Sequence, residues 1–332
     1  MPSPVRPDEP SRRKLKRTKR AALSVLTLGV LTFSLVAVEG NLTSRDAQQF
    51  TQTGEAVDVG ETTMNIDCRG DGSPTVLFEA GLGESSLTWS GVAPIVARDM
   101  RVCTYDRSGY GWSEAREGRH DAGTQALQLK ALLQAAEEPG PYVLVAHSYG
   151  SLIARQFAAD ESWAVAGMLL IEPTNDLTAS MEDAALLPTL VTRVQAVVSR
   201  LGLARPFSEQ VARDNAGAPL PALVASRAPF LYRAQALDTA AAELSESARS
   251  AQQAADSPLA DDIPVVVLLD SAASHEDRRR FASLGATTRV HTMDGGHYLH
   301  YAHPAAIAAE IVTLATAERL ASVGGPHPHP EP

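Results

Sequence analysis

An apolar run, Val143-Leu144-Val145-Ala146, ends at His147, and a helix-compatible pattern opens just after Ser148. Between them lies a small-x-Ser-x-Gly turn, Ala146-His147-Ser148-Tyr149-Gly150. A strand that reverses into a helix over so few residues needs small side chains two before and two after the serine. Gly150 meets that demand outright, and Ala146 adds only a methyl group. This layout leaves one hydroxyl proud of a sheet edge, as in a nucleophile elbow. The helix behind it aims unpaired N–H groups and its positive dipole end at the serine, where an anionic intermediate would be favoured.

The surrounding chain supplies the sheet such a turn requires. Val57 to Val59 and Thr63 to Asp67 alternate like an edge hairpin joined through Gly60. Thr75 to Glu79 and Met100 to Tyr105 are buried-type strands. A helix is expected from Thr124 to Glu137, capped by Thr124 and facing inward through Leu127, Leu132 and Leu133. Pro139-Gly140-Pro141 ends it. Strands alternating with helices predict an α/β fold: a mostly parallel central sheet with helices on both faces.

Four stretches together resemble the α/β-hydrolase fold superfamily, in its serine esterase and lipase-like branch. They are Glu79-Ala80-Gly81-Leu82-Gly83, Tyr105-Asp106-Arg107-Ser108-Gly109-Tyr110-Gly111-Trp112-Ser113, the turn around Ser148, and Gly295-Gly296-His297. The resemblance covers about residues 56–318 and implies a Ser, acid, His order. It implies Ser148 as nucleophile and His297 as base, with the backbone N–H groups of Leu82 and Tyr149 as oxyanion hole. The family often has His-Gly where this chain has Ala80-Gly81, so that side chain's role is absent. Asp106 to Ser113 is expected to brace the Leu82 loop.

The acid stays open. The family's common position, beyond the strand Pro264 to Leu269, falls on Ala272 or Ala273, and Asp270 sits too early, at the strand's end. Val165 to Ile171 runs into Glu172-Pro173, where some members place a catalytic Glu. Glu172 is the first assignment; Asp270 and then Asp176 are the alternatives. Residues 173–262 match the family's helical cap, inserted after the sixth strand, with helices around 184–201 and 234–255 and prolines 206, 219, 221 and 229 as breaks. Phe207, Phe230, Leu231 and Tyr232 either line an apolar acyl site or pack the cap. A closing helix is expected from Pro304 to Thr316.

Other histidines read differently. His300 and His303 follow His297 at three-residue steps, which drift around a helix face, and no carboxylate or cysteine completes a metal set. His147 is expected to be structural. His327 and His329 lie in a Pro/Gly-rich tail, 321–332, expected to be disordered. No cofactor or metal is implied. In the family's strand order the strands of Cys68 and Cys103 are neighbours, which admits a disulfide; two buried free thiols are the alternative.

The chain has 332 residues and a formal charge of −10. Residues 1–20 carry +6, leaving −16 on residues 21–332. An acidic body argues against nucleic acid as a partner. Ala21 to Val38 is eighteen residues without a charge directly after the basic head, long enough to approach a membrane span. Two readings follow: an uncleaved anchor with the catalytic domain outside the cytoplasm, or a signal h-region with secretion after cleavage. Residues 39–55 read as a polar tether, leading to a core of 56–172 and 263–320. The expected activity is cleavage of small carboxylic esters through an acyl-enzyme, with amide cleavage or a non-catalytic binding protein as alternatives. A nucleophilic serine weighs against the family's dehalogenase and epoxide-hydrolase branches. The oligomeric state is not encoded legibly.

Overall fold

The computed structural model describes residues 9–174 and 178–324. Asp176, the outermost head (1–8) and the tail with His327 and His329 lie outside the described residues. Eight strands form one sheet: β1 (Glu55–Asp58), β2 (Thr63–Arg69), β3 (Thr75–Glu79), β4 (Val102–Asp106), β5 (Tyr142–His147), β6 (Val165–Ile171), β7 (Val265–Asp270) and β8 (Arg289–Met293). Their order is β1-β2-β4-β3-β5-β6-β7-β8. The β1/β2 and β2/β4 pairs are antiparallel, and every other pair is parallel. The elbow strand β5 is therefore central, between β3 and β6.

The helices are α1 (Glu9–Gln49), α2 (Ala93–Val96), α3 (Ala122–Ala135), α4 (Gly150–Asp160), α5 (Thr178–Arg200), α6 (Ser208–Ala216), α7 (Ala222–Leu231), α8 (Ala234–Ser245), α9 (Ser247–Asp256), α10 (His275–Ala282), α11 (Leu299–Ala302) and α12 (Pro304–Gly324). Side chains alternate across the strands, so the continuous apolar runs fill both faces of the sheet. Leu144, Met168 and Val267 pack with Leu129, Leu152 and Phe157 on one face. Val143, Val145, Leu169 and Leu268 pack with Trp89, Ile307 and Ile311 on the other.

Several expectations are corrected. The N-cap of α3 is Asp121, whose carboxylate accepts from Thr124 N–H at 3.0 Å, and Leu127 points outward. Ala126 and Leu129 take the buried face instead. Within residues 173–262, α9 packs on α3 and α4 as well as on α5, and its Ala251 and Ala254 join the main core cluster. Alanines there let the helix lie close to its neighbours. Pro229 sits inside α7 rather than between helices. The closing helix runs on to Gly324, so residues 321–324 are helical rather than tail.

The largest correction concerns residues 39–55. The helix does not end with the apolar run; it continues to Gln49 as one 41-residue element, about 60 Å long. The reason is tertiary. Arg205 binds Glu39 through Nε and Nη2, both at 3.0 Å, and Asp46 through Nη1 at 2.6 Å. Phe50, just past the helix, packs on Phe230, and its carbonyl accepts from Trp112 Nε1 at 3.2 Å. Polar residues expected to be solvated as a tether are thus fixed on the cap.

Cys68 and Cys103 face each other across β2 and β4, Cα to Cα 4.1 Å, and are joined as a disulfide.

Candidate active site

The elbow is built by the end of β5. Ser148 adopts φ +49°, a left-handed conformation, strained for a residue with a side chain. It is held there because Ser148 N–H donates to Ile171 O at 3.0 Å. The turn leaves no room at position 150: a Cβ on Gly150 would lie 2.4 Å from Ala80 O. Ala146 is wholly buried between Glu79 of β3 and Leu170 of β6.

His297 reaches this serine from the loop after β8. Its Nε2 lies 2.9 Å from Ser148 Oγ. Its Nδ1 lies 3.5 Å from a Glu172 carboxylate oxygen, an ion-pair distance. Glu172 follows β6 directly and also takes a left-handed turn, φ +46°. Its N–H donates to Leu268 O at 2.8 Å.

Asp270 does something else. Its carboxylate accepts from the N–H groups of Ala272, Gly295 and Gly296 at 2.9, 3.1 and 2.7 Å. These amides, with Ala272 and Gly296 foremost, hold the Asp270 carboxyl below its ordinary range. The Asp270 N–H donates to the other oxygen of Glu172. Asp270 therefore braces both the His297 loop and Glu172 without touching the imidazole. The three histidines of that segment diverge: His300 bonds Thr88 at 3.0 Å, and His303 bonds the Asp294 carbonyl.

Beneath the site lies a group that sequence patterns did not reveal. His147 is buried, with Nδ1 3.0 Å from Glu84 and Nε2 3.0 Å from the His297 carbonyl. The Glu84 contact is bent, closer to an ion pair than to an in-line hydrogen bond. Burial opposes charge on both groups. The pairing outweighs it, raising His147 and lowering Glu84 to about 2. His300, adjacent and buried, is pushed well below its ordinary value by desolvation and by the His147 cation. Glu84, His147 and His300 place ligand-type atoms within 4.8 Å of one another. The protein contacts of Glu84 and His147 make this an ion-pair network that couples two loops.

The Leu82 loop is held from both sides. Gly81 N–H donates to Glu84 at 3.0 Å and Gly83 N–H to Tyr110 Oη at 3.2 Å. The Arg107 guanidinium donates to the carbonyls of Ala80 and Gly81 at 2.6 and 2.8 Å. Arg107 also binds Glu79 at 2.6 Å and, across to α8, Glu243 at 2.9 Å. Tyr110 Oη donates to Glu243 at 2.7 Å. Asp106 to Ser113 thus braces this loop and ties the core to the cap. Phe230 and Leu231 are buried with Leu87 and Val224, with Tyr232 packed against them, whereas Phe207 is exposed.

Comparison with known proteins agrees with this architecture. Residues 74–304, more than half of the chain, match the family model described as alpha/beta hydrolase fold. The chain belongs to the α/β-hydrolase fold family. It is 36% identical over 105 residues to the uncharacterized protein YqjL of Bacillus subtilis (strain 168), a match covering 32% of this chain and 42% of that one. It is 30% identical over 109 residues to an AB hydrolase superfamily protein of Gibberella zeae, covering 32% of this chain and 34% of the relative. The matches thus span less than half the length of these curated relatives. Among solved structures, haloalkane dehalogenase DbeA of Bradyrhizobium elkani USDA94 superposes with a TM-score of 0.62 at 26% identity, covering 80% of this chain and 98% of that one.

Proposed function

We propose that this α/β-hydrolase-fold chain is a serine hydrolase that cleaves carboxylic esters. The observation that carries the reading is the line from Ser148 Oγ through the His297 imidazole to Glu172, at 2.9 and 3.5 Å. In this reading His297 Nε2 takes the hydroxyl proton as Ser148 Oγ attacks the ester carbonyl carbon. Glu172 stabilises the resulting imidazolium and fixes the tautomer. The oxyanion is received by the N–H groups of Leu82 and Tyr149. Neighbouring amides Gly81 and Gly83 are engaged elsewhere, and Tyr149, at the start of α4, has no intrahelical acceptor for its N–H. Collapse of the tetrahedral intermediate expels the alcohol, which takes the proton from His297, and leaves acyl-Ser148. Water, deprotonated by His297, then attacks the acyl carbon, releases the acid and returns the proton to Ser148.

Serine at the elbow supports acyl transfer over displacement at a saturated carbon. The partner is a small-molecule ester. For α1, we propose an uncleaved membrane anchor with the basic head on the cytoplasmic side and the catalytic body on the other. It is the one helix among the described residues long and apolar enough to cross a membrane, and its unbroken passage into the cap contacts supports retention over cleavage.

The test is intact mass of the full chain in detergent after treatment with a fluorophosphonate probe. A single adduct on the wild type, absent from Ser148→Ala, is expected. A folded wild-type protein that takes no adduct overturns the proposal.

A further inference from the structure

The cap carries an apolar surface that no part of the described chain covers. Along α5, Leu186, Leu190, Val194 and Val197 are exposed by 70, 59, 53 and 54%. Past its end, Leu203 and Phe207 are exposed by 54 and 64%. The α5 positions recur at the spacing of one helix face. Contiguous apolar patches of this kind on a folded body mark interaction surfaces.

The place of this surface names its occupant. Leu203 and Phe207 flank Arg205, the residue that holds Glu39 and Asp46 of α1. Glu39 is the first charged residue after the apolar run. Leu35 is half-buried, and from Ala21 to Ser34 every side chain is exposed. The apolar helix therefore leaves the body at the corner where Leu203 and Phe207 stand. With Arg205 on two carboxylates and Phe50 against Phe230, α1 acts as a stalk fixed to the cap. It cannot swing as a leash would.

Charge points the same way. From Ala185 to Phe207 there are three arginines, 193, 200 and 205, and no acidic residue; Arg200 pairs with Asp238, and Arg205 with Glu39 and Asp46, so the stretch carries little uncompensated charge. An apolar face with no acidic residue of its own and its neighbouring charges paired suits the interfacial layer of a bilayer.

We propose that this face of the cap, from α5 through Phe207, rests in the interfacial layer of the bilayer that α1 crosses. The body is then attached to the membrane twice, through a spanning helix and through a cap lying on the surface. This rests on the reading of α1 as a membrane anchor.

Both native cysteines are in the disulfide, so single cysteines can be introduced and labelled with a polarity-sensitive fluorophore. The full chain is placed in vesicles of phosphatidylcholine and phosphatidylglycerol, with or without brominated acyl chains as quencher. Labels at Leu190→Cys and Phe207→Cys are expected to lose most of their fluorescence in brominated vesicles, as does one at Val30→Cys. A label at Glu276→Cys, exposed on α10, keeps it. Quenching at position 30 but not at 190 or 207 overturns the proposal while leaving the anchor in place. No quenching at position 30 removes the anchor reading and the proposal with it. Self-quenching at position 190 that grows with protein-to-lipid ratio, without bromine quenching, assigns the face to a second copy and also overturns the proposal.

Discussion

Two carboxylates stand at neighbouring strand ends, and their environments assign them different work. Glu172 faces the imidazole, while Asp270 faces three amides of the loop that carries it. Glu172→Ala is expected to lower kcat on p-nitrophenyl acetate about 10⁴-fold, the scale of losing the acid of such a triad. Asp270→Ala acts only through the position of His297 and should cost no more than about 10²-fold. Circular dichroism checks that both variants fold; the reverse order of losses would move the acid to Asp270. The Glu84–His147 pair makes a prediction in pH. Glu84 is lowered, so its contribution to stability is present above its unfolded value and lost as pH falls toward about 2. His147 is raised, so its contribution is full below its unfolded value, about 6.5, and is lost as pH rises through the folded value. The difference in urea midpoint between wild type and Glu84→Gln should therefore be largest between about pH 4.5 and 6.5 and shrink on both sides. A difference independent of pH would show that the pair is not ionised.

At the scale of elements, the junction between sheet and cap is a buried cluster of charges. Arg107 of the loop after β4 is enclosed by Glu79 of β3 and Glu243 of α8. Burial raises Glu79 against the pull of Arg107, and the Glu243 charge adds to the rise. Glu243→Ala leaves guanidinium donors and the Tyr110 hydroxyl without their acceptor in the interior. Breaking a buried pair from one side costs about 3–5 kcal/mol. Urea unfolding of the full chain should show a loss of that order, and a loss under about 1 kcal/mol, the range of exposed pairs, would mean that water enters the junction. Because Arg107 also holds the carbonyls of Ala80 and Gly81, the same cluster sets the height of the Leu82 loop above Ser148.

For the whole molecule, the order of the sheet determines which distant residues meet. β5 lies between β3 and β6, and β6 lies beside β7. The Leu82 loop, the Ser148 elbow, Glu172 and Asp270 therefore crowd the same carboxyl edge, and the loop after β8 brings His297 over it. The clasp of Arg205 on Glu39, 166 residues away in sequence, ties the apolar helix to the globular body. What the sequence determined by itself was local. Continuous apolar runs specify buried strands, small residues at 146 and 150 permit the elbow, and an uncharged stretch behind a basic head specifies an apolar helix of spanning length. These are legible because each depends on neighbours within a few positions. The tertiary structure alone decided which carboxylate faces His297 and that residues 39–49 dock as helix. Each depends on a partner brought from elsewhere in the chain, and a polar residue in sequence carries no mark of whether water or a buried opposite charge will satisfy it.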